Sequence, residues 1–348
     1  MGGGSRKKLA LAVVPAAMFA MVLLGPSNVA NGDGGAVAWL PPSPPSGSSI
    51  VATAGSKLTL QLAASSVIPG NLVQIRPATR LPRGAKLSSI PGNPARAVLR
   101  WTPQGRQIGD HALRFTAVDN SPSRLTAQAL TLAVRVGPGT VALSGAGNVS
   151  RWAFVRRRTT VRSAPRVSAH AKARLSLWTP ENYPNLVTTL RERIDRNGVW
   201  VQIRLAILPN NSTGWVRLGA LGPLRATSDH LVVDRAATKA TLFRKGTPIF
   251  STRVGVGKPF WPTPRGEFFV TETMRGFHNP AYGPVAFGTS ARSPVLTDWP
   301  GGGFIGIHGT DAPRLIPGHI SHGCVRIRNA AILRLARIMR VGTPLTVR

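Results

Sequence analysis

The sequence predicts a mainly β, multidomain protein with one clear helix near its C-terminus. Short apolar windows rich in Val, Leu, Ile and Thr recur along the chain, and Gly, Pro, Asn or Ser bounds each of them, which is typical of strands. At 348 residues the chain is long enough for two or three domains with separate cores. Pro- and Gly-rich stretches at 41–49 and 137–139 mark domain boundaries.

The formal charge of the chain is extreme. Lys and Arg number 44 against 12 Asp and Glu, which gives a net charge of +32. Such a field suits nucleic acid, an anionic membrane or an acidic polymer. The basic residues are scattered through most segments without a nucleic-acid-binding motif, so the pattern favours anionic polymers of the cell envelope over nucleic acid. An arginine-rich proteome would give the same composition without any partner.

The N-terminal segment has the form of an export signal. Arg6-Lys7-Lys8 precedes the apolar run 9–25, a basic region followed by a hydrophobic one. We therefore predict a signal peptide or membrane anchor over 1–38, with cleavage after Ala30 or Ala38 or retention in the membrane. Residues 39–49 are rich in Pro and Ser and predict a stiff linker. The expected location is outside the cytoplasm, either released or at the outer face of the cytoplasmic membrane.

Residues 50–137 predict a small β-sandwich. Its strand windows are 58–62, 97–101, 112–118 and 127–136. Three short stretches resemble the immunoglobulin-like (cadherin-like) repeats of bacterial surface proteins, namely Leu81-Pro82-Arg83-Gly84, Trp101-Thr102-Pro103 and Gly109-Asp110-His111-Ala112-Leu113. The resemblance implies a spacer or adhesin module.

Residues 150–223 predict a second, smaller β domain. Three stretches, in this order, resemble bacterial SH3-like wall-binding domains, which have a small β-barrel fold. They are Thr160-Val161-Arg162-Ser163-Ala164-Pro165, Val199-Trp200-Val201-Gln202-Ile203 and Gly214-Trp215-Val216-Arg217. Trp200 and Trp215 would either line a groove for a wall peptide or belong to the core. Because tryptophans within strand patterns are more often buried, we favour the core.

Residues 229–348 predict a β-rich domain with one helix. Strand windows fall at 231–234, 241–244, 247–256, 267–273 and 345–347. The stretch 276–298 is predicted to be a long loop that caps a cleft. Asn329 is a favourable N-cap, and the helix that it starts has an apolar face of Ile332, Leu335, Ala336 and Met339.

Two stretches of this domain carry reactive residue types, Ile-Gly-Ile-His-Gly-Thr at 305–310 and Ser-His-Gly-Cys-Val-Arg at 321–326. Cys324 is the only cysteine, so an intramolecular disulfide is excluded and its thiol is a candidate nucleophile. A thiol attacks as its thiolate, which needs a base and donors that hold the developing oxyanion. The alternation around His308 predicts a short strand that presents it as the base. Gly323 leaves room for its own N–H and that of Cys324 to form an oxyanion hole.

The pattern His-Gly-Thr followed by Ser-His-Gly-Cys-Val-Arg resembles the L,D-transpeptidase catalytic (YkuD-like) family of bacterial cell-wall enzymes. The likeness extends upstream through Val254-Gly255-Val256-Gly257 and Thr263-Pro264-Arg265-Gly266-Glu267-Phe268. By this resemblance Cys324 is the acylated nucleophile, His308 is its general base, and the Gly309 carbonyl orients the imidazole. The resemblance also implies oxyanion or positioning roles for Ser321, His322 and Gly323, and substrate contacts for Arg326, Tyr282 and Asn329.

The resemblance further implies the reaction. Cys324 would form a thioester with the third residue of a peptidoglycan stem peptide, expel D-alanine and pass the acyl group to an amine of a second stem, which makes a 3-3 cross-link. No cofactor and no metal are expected, and carbapenem-type inhibitors are expected to acylate Cys324. Water as acceptor would give an L,D-carboxypeptidase. A non-catalytic cell-wall-binding protein is the alternative from another class.

A zinc site is the competing interpretation of these stretches. His308, His319, His322 and Cys324 could supply four ligands. One residue separates His322 from Cys324, which is tighter than the usual spacer of about two to four, so we favour the nucleophile. A buried structural cysteine and histidine remain the simplest alternative. His319 is predicted to lie in a loop near the site.

Overall fold

A computed structural model describes residues 36–127, 129–145, 148–276, 279–296 and 303–348. Within these ranges the chain forms 26 strands and one α-helix, which confirms the mainly β prediction. The predicted export signal lies outside them apart from residues 36–38. In the part of the chain that the structure describes, no helix has the length and apolar character needed to cross a membrane.

The chain divides into two compact units, Met1–Gly137 and Pro138–Arg348. The first contains two four-stranded sheets, with strand orders β1-β3-β6-β5 and β2-β8-β7-β4. Their bounds are β1 Val37–Leu40, β2 Ser49–Thr53, β3 Leu58–Ser66, β4 Val73–Pro77, β5 Lys86–Ile90, β6 Ala95–Trp101, β7 Gly109–Asp119 and β8 Leu130–Gly137.

Burial in the first unit follows the two-residue period of strands. In β3, Leu58, Leu60 and Leu62 are buried whereas Thr59 and Gln61 are exposed, so the apolar face packs inward. The four predicted windows are confirmed as β3, β6, β7 and β8, although the last begins at Leu130 instead of 127. The immunoglobulin-like type of this unit stays a prediction.

The predicted linker over 39–49 differs from the structure. Its first residues belong to β1, which pairs antiparallel with β3, and Ser49 opens β2. Between the two strands, the Ser43 hydroxyl donates to the Ala63 carbonyl at 2.9 Å and the Gly47 N–H donates to the Thr131 carbonyl at 2.7 Å. These hydrogen bonds satisfy backbone groups and hold the segment to the first unit. Even a Pro-rich stretch has hydroxyl and N–H groups that can form such bonds.

The second unit begins with an eight-stranded sheet. Its path is β12-β11-β15-β14-β13-β10-β16, and β9 also pairs with β13. The bounds are β9 Gly139–Ala142, β10 Ser150–Phe154, β11 Thr159–Arg162, β12 Ala171–Leu175, β13 Leu186–Asp195, β14 Gly198–Arg204, β15 Thr213–Arg217 and β16 Arg225–Thr227. The sheet therefore extends beyond the predicted 150–223 at both ends. Trp200 is buried, as favoured, whereas Trp215 is half-buried; the SH3-like type stays a prediction.

The rest of the second unit is a curled ten-stranded sheet with one helix. The strand order is β19-β18-β17-β26-β21-β22-β23-β25-β20-β24. The bounds are β17 Asp229–Asp234, β18 Lys239–Arg244, β19 Thr247–Arg253, β20 Gly255–Gly257, β21 Gly266–Arg275, β22 Val285–Arg292, β23 Phe304–His308, β24 Gly318–Ser321, β25 Val325–Arg326, β26 Pro344–Val347 and α1 Asn329–Ile338. All predicted strand windows are confirmed, although 247–256 is divided between β19 and β20.

The helix α1 packs on the sheet through the face that its sequence predicts. Ile332, Leu335 and Met339 are buried in the same core as the strands. Its start differs by one residue from the prediction, because Arg328 occupies the N-cap position and Asn329 is the first helical residue.

The predicted capping loop over 276–298 is wrong in its middle. Val285–Arg292 forms β22, which lies inside the sheet, and residues 285–291 are all buried. A strand that is buried on both faces has no alternation of apolar and polar residues, so the strand period gives no signal there. Residues 277–278 and 297–298 of the predicted loop lie outside the described residues.

Trp152 joins the two sheets of the second unit. It comes from β10 and packs with Leu186 of β13 and with Phe269 of β21 in one buried cluster. Gly342 lies against the same indole, since a Cβ atom there would be 2.5 Å from the ring. Close packing of this kind makes the contact sensitive to any loss of volume.

We expect Trp152→Ala to lower the free energy of unfolding by about 3–5 kcal/mol, because it removes a large buried side chain between two sheets. Denaturant titration of the purified protein measures this. The matched control is Trp178→Ala, because Trp178 is 53% exposed and its loss should cost far less. Equal losses in the two variants would contradict the assignment of Trp152 as the contact between the sheets.

Candidate active site

The site is built on two short neighbouring strands. β23 and β25 run parallel, with Ile307 opposite Val325 and His308 opposite Arg326. Successive side chains of a strand point to opposite faces. Because Ile307 and Val325 are buried in the core, His308 and Arg326 lie together on the other face, and Cys324, just before β25, shares that face.

Gly306 lies directly beside the thiol of Cys324. Its N–H donates to Sγ of Cys324 at 3.4 Å. A Cβ atom at this position would lie 3.9 Å from Sγ and 4.0 Å from Cδ2 of His308. The thiol and the imidazole therefore border the same small space, which stays open because residue 306 has no side chain.

These residues line a cleft of about 260 Å³. Six of the nine predicted site residues contribute to its wall: Tyr282, His308, Ser321, His322, Cys324 and Arg326. Gly309, Gly323 and Asn329 do not. The structure thus brings the predicted nucleophile, base and carboxylate-binding residue into one cavity.

His308 is held by its own neighbour. Its Nδ1 lies 2.7 Å from the Gly309 carbonyl oxygen. Since a carbonyl only accepts hydrogen bonds, Nδ1 carries the proton and Nε2 keeps the lone pair that a base requires. Burial lowers the pKa of His308 to about 4, and the charge of Arg326 lowers it further, whereas the backbone carbonyls of Gly309 and Ala281 act in the opposite direction. The ring of Tyr282 packs against the imidazole, with 5.0 Å between centroids.

Burial also favours the neutral form of the thiol. Burial raises the pKa of Cys324 above its ordinary value, although the Gly306 N–H and the charge of Arg326 both act to lower it. With a raised thiol pKa and a lowered imidazole pKa, the resting pair is a thiol beside a neutral imidazole. Proton transfer to His308 must therefore accompany the attack on a carbonyl.

The Ser321 hydroxyl bonds to the peptide groups on both sides of the Gly323–Cys324 link. Its hydroxyl accepts the Gly323 N–H at 3.1 Å and donates to the Cys324 carbonyl at 2.6 Å. The Gly323 N–H is thus already bonded within this turn, and its role toward an oxyanion stays a prediction. The Cys324 N–H donates to no other group in the described part of the chain and remains the amide donor beside the thiol.

Thr263 is a positioning residue that the sequence analysis missed. It is fully buried, its hydroxyl accepts the Gly257 N–H at 2.9 Å, and it donates to the Gly323 carbonyl at 2.7 Å. In a trans peptide the C=O and the following N–H point in opposite directions. By holding the Gly323 carbonyl, Thr263 fixes the direction of the Cys324 N–H. The Thr-Pro-x-Gly-x-Phe pattern signalled this position but not its contact.

Arg326 supplies positive charge to the cleft. Its Nε is buried and makes no hydrogen bond within the described residues. A guanidinium with unsatisfied donors in a cavity matches the two oxygens of a carboxylate. The cleft thus offers an anion-binding group on the same face as the thiol.

Three other predicted positions are placed differently from the expectation. The Asn329 amide oxygen accepts the Thr310 N–H at 2.9 Å, so this side chain braces the turn after His308 and does not reach the cleft. His319 lies in β24 and not in a loop, with Nδ1 3.2 Å from the Gly257 carbonyl. His322 lies at the rim against Trp261, with 4.4 Å between ring centroids. In the described ranges no three His, Cys, Asp or Glu side chains converge as a metal site would require.

Comparison with known proteins agrees with this geometry. Residues 228–347 match the YkuD family, the L,D-transpeptidase catalytic domain. The match covers about a third of the chain and includes every residue of the cleft. The resemblance predicted for the C-terminal domain is thereby confirmed.

Two curated relatives bear the name of L,D-transpeptidases. YkuD of Bacillus subtilis (strain 168) is 33% identical over 118 residues, which cover 34% of this chain and 65% of that protein. YqjB of the same organism is 34% identical over 98 residues, which cover 26% of this chain and 54% of that protein. The chain therefore spans between about half and two thirds of the length of these relatives.

Solved structures include further matches. The NMR structure of the Enterococcus faecium L,D-transpeptidase catalytic domain acylated by ertapenem is 25% identical, covers 34% of this chain and 96% of its own, and has a TM-score of 0.24. An L,D-transpeptidase from Mycobacterium tuberculosis H37Rv is 11% identical, covers 90% of this chain and 98% of its own, and has a TM-score of 0.28.

The raised pKa of the Cys324 thiol predicts how the rate of its alkylation depends on pH. Iodoacetamide modifies the thiolate, and burial raises the pKa of Cys324. The alkylation rate should therefore reach its plateau at a higher pH than the rate for an ordinary cysteine does. Mass spectrometry of the alkylated protein across a pH series measures the midpoint. A midpoint below neutral pH would instead show a preformed thiolate–imidazolium pair.

A second prediction concerns the effect of Thr263 on the rate of acylation of Cys324. Thr263→Val should slow acylation of Cys324 by p-nitrophenyl acetate by about tenfold or more, since the Cys324 N–H loses its fixed direction toward the oxyanion. Alkylation by iodoacetamide forms no oxyanion and should hardly change. Thr263→Ser should restore acylation because it keeps the hydroxyl.

The matched control is Thr343→Val, because Thr343 is equally buried and its hydroxyl donates to the Arg340 carbonyl, away from the cleft. If Thr263→Val slowed acylation and alkylation equally, or if Thr343→Val had the same effect, Thr263 would have only a structural role.

Proposed function

We propose that this protein is a peptidoglycan L,D-transpeptidase that acts through a Cys324 thioester and forms 3-3 cross-links. The observation that carries the proposal is the single cleft in which the Cys324 thiol, the Nε2 lone pair of His308 and the unsatisfied Arg326 guanidinium lie on one face of paired strands. The family match of residues 228–347 supports the substrate class.

The proposed acylation starts from the neutral pair. Sγ of Cys324 attacks the carbonyl of the third residue of a tetrapeptide stem while its proton passes to Nε2 of His308. The Cys324 N–H stabilises the oxyanion of the tetrahedral intermediate. His308 then protonates the leaving amine, the C–N bond breaks, D-alanine departs, and a thioester remains on Cys324.

The proposed second half-reaction runs in reverse order. The side-chain amine of a second stem gives a proton to His308 and attacks the thioester carbonyl. The S–C bond breaks and the thiol regains its proton. The energy of the original peptide bond is retained in the thioester, so the cross-link needs no nucleotide and no cofactor.

Water is the alternative acceptor and would make the protein an L,D-carboxypeptidase. The alternative from another class is a non-catalytic cell-wall-binding protein whose N-terminal β domains carry the function. The arrangement of Cys324, His308 and Arg326 favours catalysis over that alternative, because a binding module has no use for a base beside a thiol.

The proposed setting is the cell envelope. Export through the N-terminal signal would place the enzyme in the cell wall or at the outer face of the cytoplasmic membrane. Peptidoglycan stem peptides are its proposed partners, and carbapenem-type inhibitors are proposed to acylate Cys324 because the family match implies the same nucleophile.

The proposal is tested by mass spectrometry of a disaccharide-tetrapeptide with a diamino acid at its third position, incubated with the purified protein. We expect a dimer that has lost one alanine. A tripeptide monomer alone would replace the transpeptidase with the carboxypeptidase. Cys324→Ala should give neither product, and an inert, folded wild type would leave only the wall-binding alternative.

Arg326 is expected to set substrate affinity. Arg326→Gln should raise KM for the tetrapeptide by about tenfold or more, because a charge-assisted bidentate contact with a carboxylate is lost. Steady-state kinetics with the same substrate measure this, and Arg326→Lys should lie between the two. An unchanged KM in Arg326→Gln would contradict the carboxylate contact.

A further inference from the structure

A second cleft, of about 640 Å³, lies on the outer face of the eight-stranded sheet and shares no lining residue with the cleft of Cys324. Four arginines line it, Arg158, Arg162, Arg174 and Arg217. Among the described residues of its wall there is no Asp or Glu. A concave surface with four cations and no carboxylate is a strong attractor for anions.

The sheet order places these arginines side by side. Arg174 lies on β12, Arg162 on β11 and Arg217 on β15, and these are successive strands of the sheet, with Arg158 just before β11. Val161 is buried between Thr160 and Arg162, so alternation directs Arg162 to the outer face. Since neighbouring strands are about 4.8 Å apart, three strands spread their guanidinium groups over roughly 10 Å. That span exceeds what one small anion can contact.

Two of the four guanidinium groups are held in place by the fold. Arg217 stacks on the ring of the buried Trp200 at 4.3 Å, and its Nη1 donates to the Asn197 carbonyl at 2.7 Å. Nη1 of Arg162 donates to the Ala169 carbonyl at 2.9 Å. Each of them keeps further N–H donors, and fixed side chains lose little conformational entropy when a ligand binds.

The other two are available for a ligand. Arg158 and Arg174 are exposed, and neither side chain makes a hydrogen bond or ion pair with another described residue. The cleft therefore combines a fixed pair of arginines with a pair that can adjust to the ligand.

We propose that this cleft binds an anionic polymer of the cell wall with repeating phosphodiester groups. The two unesterified oxygens of each phosphodiester carry its negative charge and can accept from one or two guanidinium groups, as in bidentate Arg–phosphate pairs. Repeated charges along a chain suit a row of arginines on successive strands. The site goes beyond the proposed catalytic function and would hold the enzyme on a phosphate-rich polymer of its surroundings.

The test is the binding of short-chain inorganic polyphosphate to the full protein, measured by calorimetry over a salt series. Arg158→Glu with Arg174→Glu should weaken binding by about tenfold or more and lower the salt slope by about two, one for each arginine removed. The matched control, Arg334→Glu with Arg337→Glu, changes the net charge equally on an exposed helix face outside the cleft. It should have a much smaller effect.

Acylation of Cys324 by a carbapenem, measured in the same samples, separates this proposal from the catalytic one, since neither double variant should change it. Equal weakening by the two double variants would overturn the site and leave only diffuse attraction by the net charge. Equal affinity for polyglutamate of matched charge would overturn the assignment to phosphate. Much tighter binding of a single-stranded oligonucleotide would overturn the wall polymer in favour of nucleic acid.

Discussion

The parallel pairing of β23 with β25 is the constraint on which the candidate site depends. One register, Ile307 opposite Val325, buries two aliphatic residues in the core and turns His308, Cys324 and Arg326 to the same open face. A slip by one residue would exchange the two faces, place the reactive groups in the core and expose the aliphatic ones. The free energy of core packing therefore also aligns the proposed base, the proposed nucleophile and the guanidinium of Arg326. Gly306 completes the arrangement because it leaves open the space that the thiol and the imidazole share.

Around this pair the protein provides a largely buried environment. Burial raises the pKa of the thiol and lowers that of the imidazole, so both are neutral before substrate binds. In such a cleft, charge forms only when a carbonyl can receive it, and a fixed donor then interacts more strongly than it would in water. Two hydroxyl groups fix that donor: Ser321 holds the Gly323 N–H and the Cys324 carbonyl, and Thr263 holds the Gly323 carbonyl. The peptide before Cys324 is thus oriented by two side-chain hydroxyl groups.

Periodicity and motif predicted what depends on local sequence. The alternation of Ile305 to His308 gave β23, the apolar face of α1 gave its packing on the sheet, and the His-Gly-Thr and Ser-His-Gly-Cys-Val-Arg stretches gave the residues that converge. Tertiary contacts decided what was missed. β22 is buried on both faces and so lacks alternation. The Pro-rich segment after β1 is anchored by partners at least 20 residues away in the sequence, such as the Ala63 carbonyl. Nothing in the sequence indicates that the Ser321 hydroxyl accepts the Gly323 N–H, or that the Asn329 amide oxygen accepts the Thr310 N–H. The oxyanion role of Gly323 and the substrate contact of Asn329 stay predictions.

The most direct test of the account is intact-mass spectrometry of the purified protein after incubation with a carbapenem, beside Cys324→Ala. A covalent adduct on the wild type alone is the predicted result, because it requires a thiol that His308 activates and an oxyanion that the Cys324 N–H stabilises. A folded wild type that forms no adduct, or an adduct that persists in Cys324→Ala, would contradict the claim that the paired strands build an acyl-transfer site at Cys324.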